Sequence, residues 1–381
     1  MISYEALLQH GDAARGALVI KSGFSLVSEE RIFSGCELIE ALSLYVGEQA
    51  PLISFSLTAE GESEPFYTSH SYAIGKREEY TRQSWRIPPR FLPKMTLSVD
   101  VEIPSGTLLY IKDFGRAPSE GAGAISAGVR HNAHLGFWGM APDNTMPAFE
   151  LAAASGFQYC IVVPKVTRDG VLVCIHDDTI NRTARDENGE PPSEPIYVCD
   201  KTYAELSEWE YGSYKSSIYK GTRLPLLSDF FDLCVRTGMA PMFSTHPALT
   251  LEKWREVKDM LARRGLLKSF HIKSFDPEVL KDAYSVFGAE IDGYTYDIGG
   301  WKDTSIETLL NTGIDIKACR VGIEVQFDSY TEEIAADIRS IGAFASAWNI
   351  GRRNFAEYER LISLGVTEFT EDYHCSMGLN Y

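Results

Sequence analysis

The sequence predicts two domains, a small all-β sandwich followed by a (β/α)8 barrel, which together form an α/β chain. The chain has 381 residues, which is long for one small domain. Residues 1–115 contain alternating apolar and polar runs separated by Pro and Gly turns. From residue 128 to residue 381, short apolar runs alternate with helical periods. The Gly-, Ala- and Ser-rich stretch 116–127 between them is typical of a linker.

In the N-terminal domain, period-two segments predict antiparallel strands of a sandwich or jelly roll. The run TLSVDVEI (96–103) is followed by a PSG turn and then by TLLYIKDF (107–114), so we expect one hairpin. Four aromatic residues can stack on sugar rings or pack in the core, and core packing is the commoner role; they are Tyr67, Tyr72, Tyr80 and Trp85. The domain is a candidate for carbohydrate binding or for oligomerisation.

In the C-terminal domain, about eight strand–helix units fit into about 250 residues, the length of a (β/α)8 barrel. The predicted strands are GVRHNAHLG, QYCIVVPKV with VLVCIHD, APMFSTH, SFHIKSF, IDGYTYD, DIKACRVGIEVQ, FASAWNI and TEFTED. Helical periods such as LTLEKWREVKDMLARRG lie between them. A barrel places its chemistry at the C-terminal ends of its strands, so polar residues at those ends are the candidate site.

Composition limits the classes of partner. The net charge of −17 argues against general nucleic-acid binding and against docking on anionic membranes. No apolar run reaches the roughly 18–20 residues that span a bilayer, and the N-terminus lacks the pattern of an export signal. The seven cysteines are scattered without a C-x-x-C motif. They predict reduced, structural thiols and a cytoplasmic location.

Two histidines lie where barrel strands are expected to end. His134 ends the first predicted strand, and His176 with Asp177 follows the run VLVC. Two imidazoles at neighbouring strand ends can act as general acid and general base, because both titrate near neutrality. A lone histidine is more often a buried structural residue, but a pair at barrel strand ends favours a site.

Residues 128–376 resemble the glycerophosphodiester phosphodiesterase family. The resemblance rests on the ordered stretches AHLGFWGMAPDNTMPAF, TRDGVLVCIHDDTINRTA, DKTYAELSEWEYGSYKSSIYKGTRLPLLSDF, HIKSFDPEVL, AWNI and LGVTEFTEDY. It implies a (β/α)8 barrel that hydrolyses glycerophosphodiesters to glycerol phosphate and an alcohol, a reaction of glycerol and lipid metabolism. It also implies a small-molecule phosphodiester as the ligand and Ca²⁺ or Mg²⁺ as the usual cofactor.

The resemblance assigns the acid and base roles to His134 and His176. It places Asn144 and Thr145 at the start of the first helix and Phe275 and Trp348 at the pocket mouth. His246 matches the family lysine on the phosphate side. Taken with one lysine singled out below, the expected substrate-binding residues are Asn144, Lys165, His246, Phe275 and Trp348.

The sequence departs from the family at the metal-binding positions. Ile161 and Val163 correspond to the two carboxylates of the second strand, Ser244 to the carboxylate of the third, and Leu135 to an arginine. Because Ca²⁺ and Mg²⁺ need hard oxygen ligands, we expect no metal ion at these positions and no cofactor. Metal stabilisation is worth several kcal/mol, so the departure predicts altered or reduced activity.

Three interpretations stay open. Lys165, which shares strand parity with Ile161 and Val163, or His246 can neutralise the phosphate in place of a metal ion. Carboxylates elsewhere can rebuild an ion site, although such residues are more often helix caps or solvated charges; the candidates are Asp177, Asp178, Glu324, Glu371 and Asp372. In the third interpretation, the barrel is a catalytically inactive relic that binds a phosphorylated polyol or a carbohydrate.

Overall fold

The chain divides into two units between residues 117 and 129 in a computed structural model. The structure describes residues 3–14, 16–28, 37–59, 62–65, 67–69, 71–87, 95–117, 129–245, 249–299, 302, 305–348 and 360–371. The first unit contains the described residues up to 117, and the second contains those from 129 onward. Most of the predicted linker, and His246 and Asp372, lie outside the described residues.

The first unit is built from two sheets. Its elements are α1 (Tyr4–Leu7), β1 (Asp12–Ala14), β2 (Ala17–Ile20), β3 (Phe24–Ser28), β4 (Glu37–Val46), β5 (Leu52–Ala59), β6 (Tyr67–Thr68), β7 (Tyr72–Ala73), β8 (Lys76–Arg77), β9 (Thr81–Ile87), β10 (Met95–Glu102) and β11 (Leu108–Ala117). One sheet has the order β1-β2-β11-β4-β8, with β9 also paired to β4. The other has the order β3-β10-β5-β6, with β7 also paired to β5.

The core of the first unit lies between these two sheets. Alternate residues of β5 are buried, as expected for a strand with one face on a core. Phe55 of β5 contacts Trp85 of β9 in the other sheet, with ring centroids 6.1 Å apart, and it also contacts Tyr72. Tyr72 and Trp85 are therefore core residues. Tyr80 instead lies under the Lys112 ammonium group, which is 3.9 Å from its ring centroid.

The predicted hairpin of residues 96–114 is wrong. Strand β10 pairs with β3 and β5, whereas β11 pairs with β2 and β4 in the other sheet. Both strands bury alternate apolar residues, and that pattern fits two facing sheets as well as one hairpin. The PSG turn therefore leads from one sheet to the other. Strand β11 also continues to Ala117, two residues beyond the predicted domain boundary.

The second unit is a closed (β/α)8-type barrel of eight parallel strands, which confirms the predicted fold class. Its barrel strands are β12 (Arg130–Ala133), β13 (Tyr159–Val162), β16 (Ala240–Ser244), β17 (His271–Ser274), β18 (Gly293–Ile298), β19 (Arg320–Gln326), β20 (Phe344–Trp348) and β21 (Val366–Glu371). A separate antiparallel pair is formed by β14 (Pro164–Val166) and β15 (Leu172–Cys174). The helices are α2 (Met146–Ala154), α3 (Tyr203–Leu206), α4 (Leu227–Thr237), α5 (Leu251–Arg263), α6 (Pro277–Phe287), α7 (Ser305–Leu310) and α8 (Glu332–Ser340).

Helix α5 illustrates how the sequence sets the outer layer. The Thr250 side chain caps its first turn by accepting from the Lys253 amide. Trp254, Val257 and Leu261 follow at helical spacing and are all buried. Because the indole of Trp254 packs near the outward side of β16, the inward side of that strand is left to the alternate residues.

The run QYCIVVPKV is not one strand. Strand β13 ends at Val162, and β14 begins at Pro164, which has no amide hydrogen for a central ladder. His176 therefore follows β15 of the separate two-stranded sheet and not a barrel strand, which corrects the predicted placement. Lys165 lies on that same sheet, so the parity argument that aligned it with Ile161 does not hold.

Candidate active site

The barrel interior near β13 and β16 is apolar. Leu135, Tyr159, Ile161, Val163 and Met242 form one cluster of buried side chains. Ile161 is the register partner of Met242, so these two side chains lie on the same inward face. The cluster contains Ile161 and Val163, two of the three positions to which the resemblance assigned metal ligands. Apart from the Tyr159 hydroxyl, these side chains offer only carbon and sulfur.

His134 lies at the C-terminal end of β12. Its backbone amide donates to the Glu371 carbonyl at 2.9 Å, which joins the first and last strands of the barrel at this level. Its ring meets the edge of Trp138 at 5.8 Å between centroids, with the ring planes at 87°. The side chain is half-buried, so the imidazole is held by packing while it remains accessible.

The loop that follows His134 is strained. Leu135 and Asn144 have φ angles of +56° and +53°, a region that side-chain-bearing residues rarely adopt. The Asn144 amide donates to the Leu135 carbonyl, and its side-chain oxygen accepts from the Val163 amide at 2.9 Å. This second bond gives the Asn144 side chain a structural role, since it ties the loop to β13. Strain of this kind is concentrated at functional sites.

His176 is held by a chain of charged groups. Its Nδ1 lies 2.7 Å from Oδ1 of Asp177, and Arg182 Nε donates to the other oxygen of Asp177 at 2.7 Å. The same guanidinium donates to both oxygens of Asp143, at 2.9 and 3.0 Å. Asp143 belongs to the loop that follows His134. Arg182 therefore connects the loops that carry the two histidines.

Asp143 and Asp177, the two carboxylates bound by Arg182, are kept ionised. The hydrogen bond with His176, followed by those from Arg182, holds the pKa of Asp177 well below its usual value against the effect of burial. For Asp143, burial is the largest single effect, and it raises the pKa of the carboxyl group. The hydrogen bonds and charge of Arg182 outweigh it, and the pKa of Asp143 is lowered. Each carboxylate can therefore anchor its partner through the neutral pH range.

An insertion between β15 and α4 supports this arrangement. It has a hydrophobic core of its own, formed with the end of β15: Val173, Ile175, Ile180, Ala184, Val198, Leu206, Tyr211 and Leu224. The Tyr214 hydroxyl of the insertion hydrogen-bonds to the Asp143 carboxylate, and the Tyr219 hydroxyl donates to the Met140 carbonyl at 2.9 Å. The insertion thus fixes the loop after His134 from outside the barrel.

Sequence reasoning missed Arg182, Asp143 and Tyr214. Arg182 stands six residues after His176 in a stretch that carries the resemblance, and Asp143 precedes Asn144 in the PDNT turn. Both positions could have been noticed. Their pairing could not, because nothing in the sequence brings residues 143 and 182 together.

Replacing Arg182 with methionine is expected to lower the free energy of unfolding by about 2–3 kcal/mol, because Asp143 stays buried without its partner. Breaking a fully buried pair costs about 3–5 kcal/mol, and the 41% exposure of the Arg182 side chain reduces that value. Urea denaturation measures the change. The exposed Arg168→Met serves as control, and equal stability of the two variants would contradict the role of Arg182.

The opposite side of the barrel interior is charged. The Lys273 ammonium of β17 lies 3.0 Å from the Asp297 carboxylate of β18 and also contacts Glu324 of β19. Ser346 and Thr370 donate to Oε1 of Glu324 at 2.7 and 2.6 Å. All five residues are buried. Burial raises the pKa of Asp297, whereas Lys273 keeps the pKa of Glu324 low despite burial.

Four of the five carboxylates considered for a rebuilt ion site are paired with cationic side chains or a histidine, and the fifth, Asp372, lies outside the described residues. The pairs are Asp177 with Arg182, Asp178 with Lys165, Glu324 with Lys273, and Glu371 with His131. Across the described ranges, no group of three or more His, Cys, Asp or Glu side chains is arranged to hold a metal ion. These four carboxylates do not form a shared site.

The other expected binding residues fall into separate places. Phe275 and Trp348 meet at the strand ends with ring centroids 5.9 Å apart, and Phe275 is exposed. The Trp348 indole donates to the Ile298 carbonyl at 3.0 Å, which fixes this aromatic pair at the barrel mouth. Lys165 lines a cavity beside β14 and donates to Asp178.

Comparisons with known proteins agree with this architecture. A glycerophosphodiester phosphodiesterase of Bacillus altitudinis is 38% identical over 104 residues, 26% of this chain and 38% of that protein. One of Bacillus subtilis is 22% identical over 263 residues, 63% of this chain and 82% of that protein. The chain spans only 36–38% of the length of the first three curated relatives that it matches.

Solved structures show the same fold. A phosphodiesterase of Oleispira antarctica in complex with the product sn-glycerol-3-phosphate superposes with a TM-score of 0.55 at 22% identity, covering 64% of this chain and 93% of that one. A glycerophosphoryl diester phosphodiesterase structure from Silicibacter pomeroyi gives a TM-score of 0.56 at 20% identity, covering 68% and 94%.

The fold and the position of His134 define an α/β barrel protein whose candidate site lies at the C-terminal strand ends. Residues 134–283 match the sequence profile of the "Glycerophosphoryl diester phosphodiesterase family". Over these residues the barrel of this chain is similar to that family. None of the helices in the described ranges is long and apolar enough to cross a bilayer.

Proposed function

We propose that the barrel cleaves a small phosphodiester of glycerol or another polyol with His134 and His176, at a reduced rate and without a divalent ion at the usual position. The observation that carries this proposal is the chain from His176 through Asp177 and Arg182 to Asp143. A base oriented by a carboxylate that is itself fixed is the arrangement expected of an acid–base site. A histidine that only packs in the core does not need an orienting carboxylate that is itself held by an arginine.

The ion implied by the family does not fit the residues at its position. Ca²⁺ and Mg²⁺ take oxygen ligands, and at least one carboxylate is usual. Ile161, Val163 and Leu135 are buried against one another and supply no oxygen. Ser244, two residues after Met242 on β16, supplies one neutral hydroxyl. We therefore derive no step of the reaction through a metal ion.

We assign the proton transfers of this reaction to the two histidines. With the Asp177 carboxylate accepting from Nδ1–H of His176, the Nε2 atom of the neutral ring is a proton acceptor. One imidazole takes the proton of the attacking water or neighbouring hydroxyl as its oxygen bonds to phosphorus. The other donates a proton to the leaving alkoxide as its P–O bond breaks. The products are an alcohol and a phosphate monoester, or a cyclic diester when a neighbouring hydroxyl attacks.

The relatives support the choice of ligand class. The Oleispira antarctica phosphodiesterase is in complex with the product sn-glycerol-3-phosphate. We propose for this chain a diester that contains a glycerol-like phosphate, a substrate of glycerol and lipid metabolism. Losing a metal ion removes several kcal/mol of transition-state stabilisation, so the expected rate is about a thousandfold or more below that of a metal-dependent enzyme.

A second candidate function is binding without turnover, in which the barrel holds a phosphorylated polyol or carbohydrate. The apolar cluster around Ile161 favours this binding function. A pocket without charged groups beside the phosphate can keep its shape and bind a ligand without catalysing a reaction. The two functions share a ligand class and differ in whether product forms.

The deciding experiment measures product formation from glycerophosphodiesters and from a cyclic phosphodiester, with Ca²⁺, with Mg²⁺ and with a chelator. We expect turnover that changes by less than about twofold between these conditions, because the described residues offer no group of carboxylates arranged to hold a metal ion. Turnover abolished by the chelator would overturn the metal-free proposal. Ligand binding without product in every condition would replace it with the binding function.

A further inference from the structure

A cavity of about 470 Å³ lies beside the β14–β15 pair. Its walls come from β14, from the residues after β15, from the segment 197–199 and from the start of α5; the lining includes Lys165, Asp178, Tyr197, Val198, Leu249 and Lys253. The volume falls within the range of small-molecule sites, about 300–1,000 Å³. None of the roles described above uses this cavity.

The lining combines apolar walls with two ammonium groups. Val166, Val198 and Leu249 supply the hydrocarbon surface. The Lys165 side chain is only 10% exposed, which is unusual for a lysine and indicates an ammonium held inside the cavity wall. Lys253 reaches the cavity from the first turn of α5. An apolar pocket with few fixed polar groups is the usual composition of a ligand site.

Each ammonium group of the lining has a carboxylate partner. Lys165 pairs with Asp178, and Lys253 pairs with Glu256 at 2.6 Å and donates to the Gly170 carbonyl at 2.6 Å. Both carboxylate side chains are exposed, whereas the two lysines are held against the cavity wall. The charged groups fixed at the wall are therefore cationic, and they favour an anionic ligand group once a carboxylate turns into water.

The ion pair between Lys165 and Asp178 is asymmetric. Its two charged atoms are 2.5 Å apart, but the Asp178 side chain is 64% exposed. An exposed carboxylate can turn into water at little cost, since pairs at the surface contribute little. The buried Lys165 cannot move away in the same manner. A ligand anion can therefore take the place of Asp178 beside a lysine that is already in position.

The cavity lining and the proposed catalytic histidine are close in the sequence. Lys165 pairs with Val173 in the β14–β15 ladder, and His176 is two residues after the end of β15. Asp178, which lines the cavity, is two residues beyond His176. The cavity and the imidazole therefore share the β14–β15 pair as a common support.

We propose that this cavity binds an apolar group ending in an anionic oxygen function, with Lys165 as its counter-ion, and that this group is the alcohol half of the diester. The assignment to the alcohol half rests on the proposed function. Binding of the anion to the cavity does not, because it requires neither histidine. The ligand class is an acidic, partly apolar alcohol, and the two lysines disfavour a diester of a quaternary ammonium alcohol.

The test is calorimetric titration of the full chain with 4-(hydroxymethyl)benzoate, benzyl alcohol and 4-(hydroxymethyl)benzylammonium. These probes contain no phosphate, so they report on the cavity alone. We expect the benzoate to bind at least about tenfold more tightly than the neutral and cationic probes, the usual scale of one charge-assisted hydrogen bond. Equal affinity for the three probes would overturn the proposal.

Two variants change the affinity in opposite directions. Lys165→Met is expected to weaken benzoate binding by about tenfold. Asp178→Asn removes the competing carboxylate and is expected to tighten it by about threefold. The exposed Lys281→Met is the control and should bind as the unmodified chain does. A purely structural ion pair predicts weaker binding for both variants, and that result would refute the cavity site.

The outcomes for the cavity and for the reaction are separable. Benzoate binding that depends on Lys165, together with no diester turnover, would keep the cavity site and reject the proposed reaction. Diester turnover without selective benzoate binding would keep the proposed reaction and reject the cavity site.

Discussion

Replacing His176 with alanine is expected to lower kcat/KM for a glycerophosphodiester by about 10²–10⁴-fold, the usual contribution of a general acid or base. His134→Ala is expected to lower it by a similar factor, because each imidazole handles one of two proton transfers that both must occur. The measurement is release of the alcohol product under steady-state conditions. Removing both histidines together should cost little more than removing one, since residues that act as a unit are not additive.

A matched histidine substitution and a positioning variant provide the controls. His10→Ala changes a histidine of the first unit and should leave kcat/KM unchanged. Asp177→Asn should lower kcat with KM nearly constant and should alter the pH profile, because the carboxylate orients His176 without contacting substrate. A His176→Ala variant with full turnover, or an Asp177→Asn variant with an unaltered pH profile, would remove the acid–base assignment.

The barrel could be predicted because its signal is repeated. Strands such as Ala240–Ser244 are short, largely apolar runs, and amphipathic helices such as Leu251–Arg263 follow them. Eight such units admit few architectures other than a closed parallel sheet with helices outside. Misplacing the first or last residue of one strand or helix does not change that conclusion.

Pairing between strands could not be predicted in the same manner. The alternation in residues 96–114 shows that each strand has one buried face, but it does not show which sheet covers that face. In the same way, the run that contains Ile161 and Lys165 looks continuous until Pro164 ends its barrel ladder. Sheet membership depends on contacts between residues that are distant in the sequence, and single-strand periodicity does not contain them.

The candidate site was predictable only in part. His134 and His176 were found from their positions after apolar runs. A histidine is a candidate acid or base by its residue type alone, without knowledge of its neighbours. The bridge from Arg182 to Asp143 spans 39 positions and becomes visible only when the loops are folded. The role of Lys273 was also hidden, because a lysine within the apolar run HIKSF gives no indication of which carboxylates surround it.

The two sides of the barrel interior explain how a chain with no carboxylates at the usual position keeps its shape. On β13 and β16 the interior is filled largely by hydrocarbon around Ile161, which is stabilised by burial of apolar surface. On β17, β18 and β19 it is filled by Lys273 between Asp297 and Glu324. An internal ammonium thus balances the buried carboxylates of this side. Removing the Lys273 ammonium should therefore lower the free energy of unfolding more than removing the ammonium of a surface lysine.

Lys273→Met is accordingly expected to lower the free energy of unfolding by about 3–5 kcal/mol, the cost of leaving a buried charge without its partner. The reason is that Glu324 loses its ammonium partner, and the Ser346 and Thr370 hydroxyls alone cannot balance a full charge in the barrel interior. Chemical denaturation measures the loss, and Lys281→Met, an exposed lysine of α6, is the control. The loss should not exceed about 0.5 kcal/mol for that surface variant.

A double variant separates lost charge balance from lost packing. If the cost of Lys273→Met comes from the unpaired charge of Glu324, then adding Glu324→Gln should recover part of the stability, because no uncompensated carboxylate remains there. If the cost comes from packing, Glu324→Gln should add a further loss of its own. A Lys273→Met variant as stable as Lys281→Met would mean that the ammonium does not balance these carboxylates. The charged side of the interior would then be held by its hydroxyl contacts alone.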